Sequence, residues 1–170
     1  MKSALLAAAL MTTLLSASHV AAEPASPFVG LFAQDASLGN AFEIDESKII
    51  LETSTNPVVR AFAEEMIHDH TIAQAELDRL GRRAGVPTDI IPGKAQKTLV
   101  DDLGLMDSPK LDKVYLSDQS KAHARAVALI SDYAINGEDP AFRAYARATL
   151  PMVLIHQRML VEISGKKPHL

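Results

Sequence analysis

The chain has 170 residues, 48% of them hydrophobic and only 5% aromatic, with no tryptophan and a formal net charge of −4. That length suits one domain with a sizeable aliphatic core, and the alanine-rich balance leans towards helices. The mildly acidic charge carries no electrostatic footprint for nucleic acid, and the absence of cysteine excludes disulfides, thiolate-bound metals and a cysteine nucleophile.

The opening stretch, "MKSALLAAALMTTLLSASHVAA", has a lysine, a short apolar run and a small-residue end with Val20 and Ala22 at recognition positions. It reads as a secretory signal peptide over residues 1–22. The run is too short and too interrupted for a stable membrane span. No later stretch is long and apolar enough to cross a bilayer. Cleavage removes Lys2 and no acid, so the charge passes from 17 − 21 = −4 to 16 − 21 = −5. The expectation is an exported protein, periplasmic or secreted, with residues 23–170 forming one domain.

Beyond a proline-bearing lead-in, a helical pattern runs from Phe28 to Ser54. Asn56-Pro57 restarts a helix with asparagine as cap and proline in the first turn, and Gly85 stops it. "VPTDIIPGK" is a loop, and "KAQKTLVDDLGLM" predicts a short helix within a long connection. Ser108-Pro109 opens a third long helix ending at Asn136-Gly137. Asp139-Pro140 opens a fourth, ending at Gly165, with a kink expected at Pro151. No run has strand alternation and no repeat recurs at fixed spacing. Four amphipathic helices, each needing its stripe covered, predict an all-α four-helix bundle with an extra short helix between long helices two and three.

The second long helix has an apolar stripe of Phe62, Met66, Ala73, Leu77 and Leu80. His70 sits inside it, four residues after Met66 and three before Ala73. Glu65-x-x-His68 has metal-binding spacing, but both side chains fall off the stripe and should face solvent. Asp69 borders it and can orient an inward group as a hydrogen-bond acceptor. The third long helix shows Leu111, Tyr115, Ala122, Ala126, Leu129 and Tyr133, with His123 on the edge. The fourth shows Phe142, Ala146, Val153 and Leu160, with His156 among them. In the first, Phe28, Phe32, Ala36, Phe42 and Ile50 form a broad face on which Glu43 and Glu46 intrude.

At about 1.5 Å of rise per residue, Glu43 and His70 lie at matching heights on either side of the first tight turn, and His123 and His156 on either side of the second. One layer therefore gathers Glu43, His70, His123 and His156. Three imidazoles and a carboxylate suit iron, zinc or copper. The competing reading is a buried Glu–His network that fixes helix register and holds no ion, in a non-catalytic structural or interaction protein. No serine lies in a Gly-x-Ser-x-Gly setting, which counts against a hydrolase.

"NAFEIDESKIILETSTNPVVRAFAEEMIHDHTIAQAEL" resembles the opening of a bacterial family of exported proteins, domain of unknown function 4142. The matching features are Glu43, Phe62-Ala63 and the Met-x-x-Asp-His of Met66 to His70. Further along they are Tyr115, Gln119 and His123, then "NGEDP", then Leu150-Pro151 followed by His156. The resemblance covers nearly the whole mature chain. It implies a ferritin-like fold and singles out the same Glu and three His, with Asp69 and Tyr115 beside them. It implies no activity. Ferritin-like di-iron proteins carry Glu-x-x-His on two helices. Here Val153 stands three residues before His156, so a mononuclear or structural site is expected. A homo-oligomer or an envelope protein partner is compatible with this reading.

Overall fold

The computed structural model describes residues 25–165. The expected signal peptide over 1–22, and the tail from 166 that carries His169, lie outside the described residues. Five helices follow in order: α1 (Pro27–Thr53), α2 (Pro57–Ala84), α3 (Lys94–Leu103), α4 (Ser108–Asn136) and α5 (Pro140–Ile163). There is no strand among the described residues.

The helix ends follow from local chemistry. Ser26 Oγ accepts from Phe28 N, Asn56 Oδ1 from Val58 N and Val59 N, and Asp139 Oδ1 from Ala141 N and Phe142 N. In each case a proline occupies the first turn, where its missing N–H costs nothing. Gly85 ends α2 with φ 68°, a left-handed conformation that glycine adopts without penalty. The helix α5 continues through Pro151.

The long helices form a ring in the order α1, α2, α5, α4, each packing on the next. The Thr55 and Ser108 hydroxyls lie 3.4 Å apart at one end of α1, while the Phe32 and Tyr133 rings stack at 3.8 Å near the other. Therefore α4 runs antiparallel to α1 and parallel to α2. The connection between α2 and α4 must traverse the length of the ring, and α3 lies along that path. It is fastened by Leu103, which is fully buried, and by Gln96 Nε2, which donates to Leu38 O at 2.7 Å.

The core divides into two apolar clusters. One holds Phe32, Ala36, Leu77, Ile130, Phe142 and Val153 among others. The other holds Ile50, Phe62, Met66, Leu111, Tyr115 and Leu160. Burying each such aliphatic or aromatic side chain contributes about 1.5–3 kcal/mol. Every expected stripe residue of α2 is buried, whereas Phe28 of α1 is 65% exposed and belongs to neither cluster. Glu43, His70, His123 and His156 occupy the gap between the clusters, each flanked on its own helix by residues of both. The apolar packing above and below thus fixes the height of a polar waist.

Candidate metal centre

The sequence places His70 between the buried Met66 and Ala73, and His156 between the buried Val153 and Leu160. His123 follows Ala122 on the inner face of α4 and is fully buried, further inside than its edge position predicts. The three rings pack with centroids 5.4–5.7 Å apart. Glu43 Oε2 lies 3.0 Å from His70 Nδ1 and Glu43 Oε1 3.3 Å from His123 Nδ1. The four residues grouped at the waist by helix heights therefore meet there. Glu65 and His68 are exposed.

Hydrogen-bond partners fix the tautomer of each ring. His70 Nδ1 is 3.0 Å from Asn40 Oδ1. Since Asn40 Nδ2 donates to Gln74 Oε1, that Oδ1 accepts, and Nδ1 of His70 carries the hydrogen. His123 Nδ1 donates to the Gln119 carbonyl at 2.9 Å. His156 Nε2 donates to Asp69 Oδ2 at 3.1 Å. In neutral imidazole the second nitrogen then bears a lone pair. Those nitrogens are His70 Nε2, His123 Nε2 and His156 Nδ1, and all three are buried without a hydrogen-bond partner. Each ring offers a nitrogen within 4.8 Å of those offered by the other two.

Burial favours the neutral form of two of the rings. Burial pushes His156 down to about 4, helped by His70 and His123 and opposed by Asp69. Burial also lowers His123, against the pull of Glu43. Burial by itself would raise Glu43, but the His70 ring, followed by His123 and His156, outweighs it and holds the carboxyl below its ordinary range. The waist thus contains a 2%-exposed carboxyl held low by the rings beside it, with a second carboxyl, Asp69, 3.1 Å from His156 Nε2.

Glu43, grouped with the ligands by sequence, stands behind two rings on their Nδ1 side; the three clustered nitrogens belong to histidines alone. Tyr115 touches no histidine through a hydrogen bond. Ser47 Oγ donates to Glu43 O at 2.6 Å, so the Tyr115 hydroxyl, 2.8 Å away, donates to Ser47. Tyr115 therefore braces the backbone that carries Glu43. Asp69 is where the α2 stripe put it, accepting from an inward ring.

Three further residues belong to the site. Asn40 lies one helical turn before Glu43, and the carbonyl of Gln119 one turn before His123. Glu46 is fully buried and accepts from Gln119 Nε2 at 3.1 Å. Burial raises Glu46 to about 8, against that hydrogen bond, so its carboxyl is protonated at neutral pH. The signal for Asn40 and Glu46 was a polar residue on the inner face of α1, three residues either side of Glu43.

The donor set fits a divalent transition metal. Nitrogens bound at about 2 Å around a tetrahedral ion stand roughly 3.3 Å apart, so rings whose nitrogens lie within 4.8 Å of one another would close inwards by up to about 1.5 Å to hold one. Ligating histidines ordinarily donate their other N–H to a carboxylate or carbonyl, as all three do here. Three imidazoles also leave room for a further ligand.

Comparison with known families agrees with the sequence pattern. The family described as "Domain of unknown function (DUF4142)" matches residues 15–163, and the chain belongs to it. No curated protein matches the chain. Among solved structures, a DUF305 fragment from Deinococcus radiodurans is 19% identical with a TM-score of 0.74, covering 84% of this chain and 98% of that one. A DUF305 protein from Streptomyces coelicolor, described as a candidate secreted protein, is 15% identical with a TM-score of 0.70, covering 84% of this chain and 96% of that one. These likenesses establish a shared all-α fold. No described helix is long and apolar enough to cross a membrane.

Proposed function

We propose that this protein is an exported, ferritin-like four-helix-bundle protein that binds one transition-metal dication, iron, zinc or copper, at its waist. The ligands are His70 Nε2, His123 Nε2 and His156 Nδ1. Glu43 and Asp69 act through the rings: they orient His70, His123 and His156, and their two negative charges balance the ion. The signal-like start of the sequence supports export, as does the description of the Streptomyces relative.

The observation that carries the reading is the trio of buried, unpartnered lone pairs. Leaving a buried acceptor unsatisfied costs about 1–3 kcal/mol, so three cost a large part of a stability that is typically about 5–15 kcal/mol. A purely structural polar layer gives no reason to keep them. One trapped water has two hydrogens for three acceptors. A cation satisfies all three and also compensates Glu43.

Elemental analysis of the protein purified from its native host tests this. About one equivalent of transition metal per chain is expected, and His70→Ala with His156→Ala should abolish it. Metal-free protein whose melting temperature is unmoved by zinc, copper or iron would overturn the reading in favour of a structural layer.

A further inference from the structure

A cavity of about 540 Å³ opens beneath α3 and reaches the waist between α1 and α4. Its lining changes in character with depth. At the mouth stand the exposed Asp35 and Arg125, with Gln96 half-buried beside them. The walls are apolar, from Phe42, Ala126, Leu129, Ile130 and Val153. At the buried end are Asn40, Glu43, His70, Tyr145 and Thr149, all less than a tenth exposed. An apolar wall ending in a few convergent polar groups is the usual construction of a small-molecule site, and the volume falls within the ordinary range of about 300–1,000 Å³.

We propose that this cavity binds a small, uncharged, mainly apolar molecule that carries a hydroxyl group, of the phenol or alcohol class, with the hydroxyl at the buried end. Asp35 and Arg125 offset each other at the mouth, so neither sign of net charge is drawn in. No lysine or arginine stands at the buried end to hold an anion. Glu43 can accept one hydrogen bond, and the Thr149 and Tyr145 hydroxyls can donate or accept. A hydroxyl can both donate to Glu43 and accept from Thr149 or Tyr145, which an amine cation or a carboxylate cannot do. His70 borders the site, but none of the groups proposed to bond the hydroxyl is a ring nitrogen, and binding does not require the ion.

Methyl-labelled protein, metal-free and zinc-loaded, is titrated with phenol, toluene and benzoate while the Leu129, Ile130 and Val153 methyl resonances are followed. Phenol should shift them saturably and bind about tenfold tighter than toluene or benzoate, as one buried hydrogen bond implies. A Cβ at Gly39, on the cavity lining, meets nothing within 4 Å. A leucine there starts in open space at the lining, so Gly39→Leu should keep the melting temperature or raise it and abolish phenol binding. Thr149→Val should weaken phenol while leaving toluene unchanged. Shifts scattered over the surface, no saturation, or undiminished phenol binding in Gly39→Leu would mean a cavity holding only water and would overturn the proposal. Because phenol binding is read in metal-free protein, a failure of the metal site appears separately, as zinc that changes no waist resonance.

Discussion

Glu43→Gln keeps the shape of the side chain and removes its charge, and the two accounts of the waist assign it opposite outcomes. The carboxylate is 2% exposed and lies 3.0 Å from His70 Nδ1 and 3.3 Å from His123 Nδ1. Both rings retain another acceptor after the change, Asn40 Oδ1 and the Gln119 carbonyl. In metal-free protein the substitution removes a carboxylate that burial disfavours. Stability should therefore hold or rise slightly. With metal the effect reverses, because removing a carboxylate behind ligating histidines lowers affinity about 10–100-fold. At zinc about 1,000-fold above the wild-type Kd, binding stabilises wild type by about 4.1 kcal/mol, and the variant by about 1.4–2.7 kcal/mol. The difference of about 1.4–2.7 kcal/mol corresponds to roughly 3–10 °C in melting temperature for a domain of this size.

Thermal melts followed by circular dichroism at pH 7, with and without zinc, read both quantities in one experiment. Equal zinc-induced shifts in wild type and variant would refute the assignment of Glu43 as the charge partner of the ion. A large loss of stability in the metal-free variant, about 3–5 kcal/mol as when a buried pair is broken, with no response to zinc, would identify the waist as a structural network.

Three other outcomes are expected. The folded value of His156, about 4, lies below the ordinary 6.5, so the unfolded chain takes up the proton first. Metal-free protein should keep the stability tied to this neutral ring above pH 6.5 and lose up to roughly 3 kcal/mol of it as pH falls towards 4, read from urea midpoints across that window. Glu46 has the opposite sign: its folded value of about 8 stands above the ordinary 4.5, so stability falls as pH rises between the two. Glu46→Gln should remove that slope and leave the variant more stable than wild type at pH 8, by the same urea assay; equal midpoints there would show an ionised Glu46. A Cβ at Gly81 would stand 2.6 Å from Val86 O and 2.7 Å from Thr88 Cγ2, so Gly81→Ala should cost about 1–3 kcal/mol, visible as a lower urea midpoint.

The order and ends of the helices were legible because capping chemistry is local. Asn56-Pro57, Gly85, Ser108-Pro109 and Asp139-Pro140 mark boundaries that the helices respect to within a residue or two. His70 and His156 were legible because each interrupts an apolar stripe at helical spacing, and a stripe position fixes a direction. His123 was less so: as neighbour of Ala122 it lies at the stripe's edge, and only the fit of α4 between α1 and α5 decides that it is fully buried. The direction of α4 relative to α2 was not legible, since a long connection permits either, and the contact between the Thr55 and Ser108 hydroxyls resolves it.

What helix heights could not convey is which atom of each residue faces which neighbour. Position on a helix places Glu43 in the layer, and from there a carboxylate can ligate an ion directly or support the rings that do. In the proposed reading the choice is made by Asn40 and the Gln119 carbonyl. By accepting from His70 Nδ1 and His123 Nδ1, they leave the Nε2 lone pairs bare. Asp69 does the same for the opposite nitrogen of His156. Acceptors on three different helices, α1, α2 and α4, thus set three tautomers, and the nitrogens they leave bare are the three without partners. A network optimised only for register has no reason to leave unpartnered the one nitrogen of each ring that a cation needs.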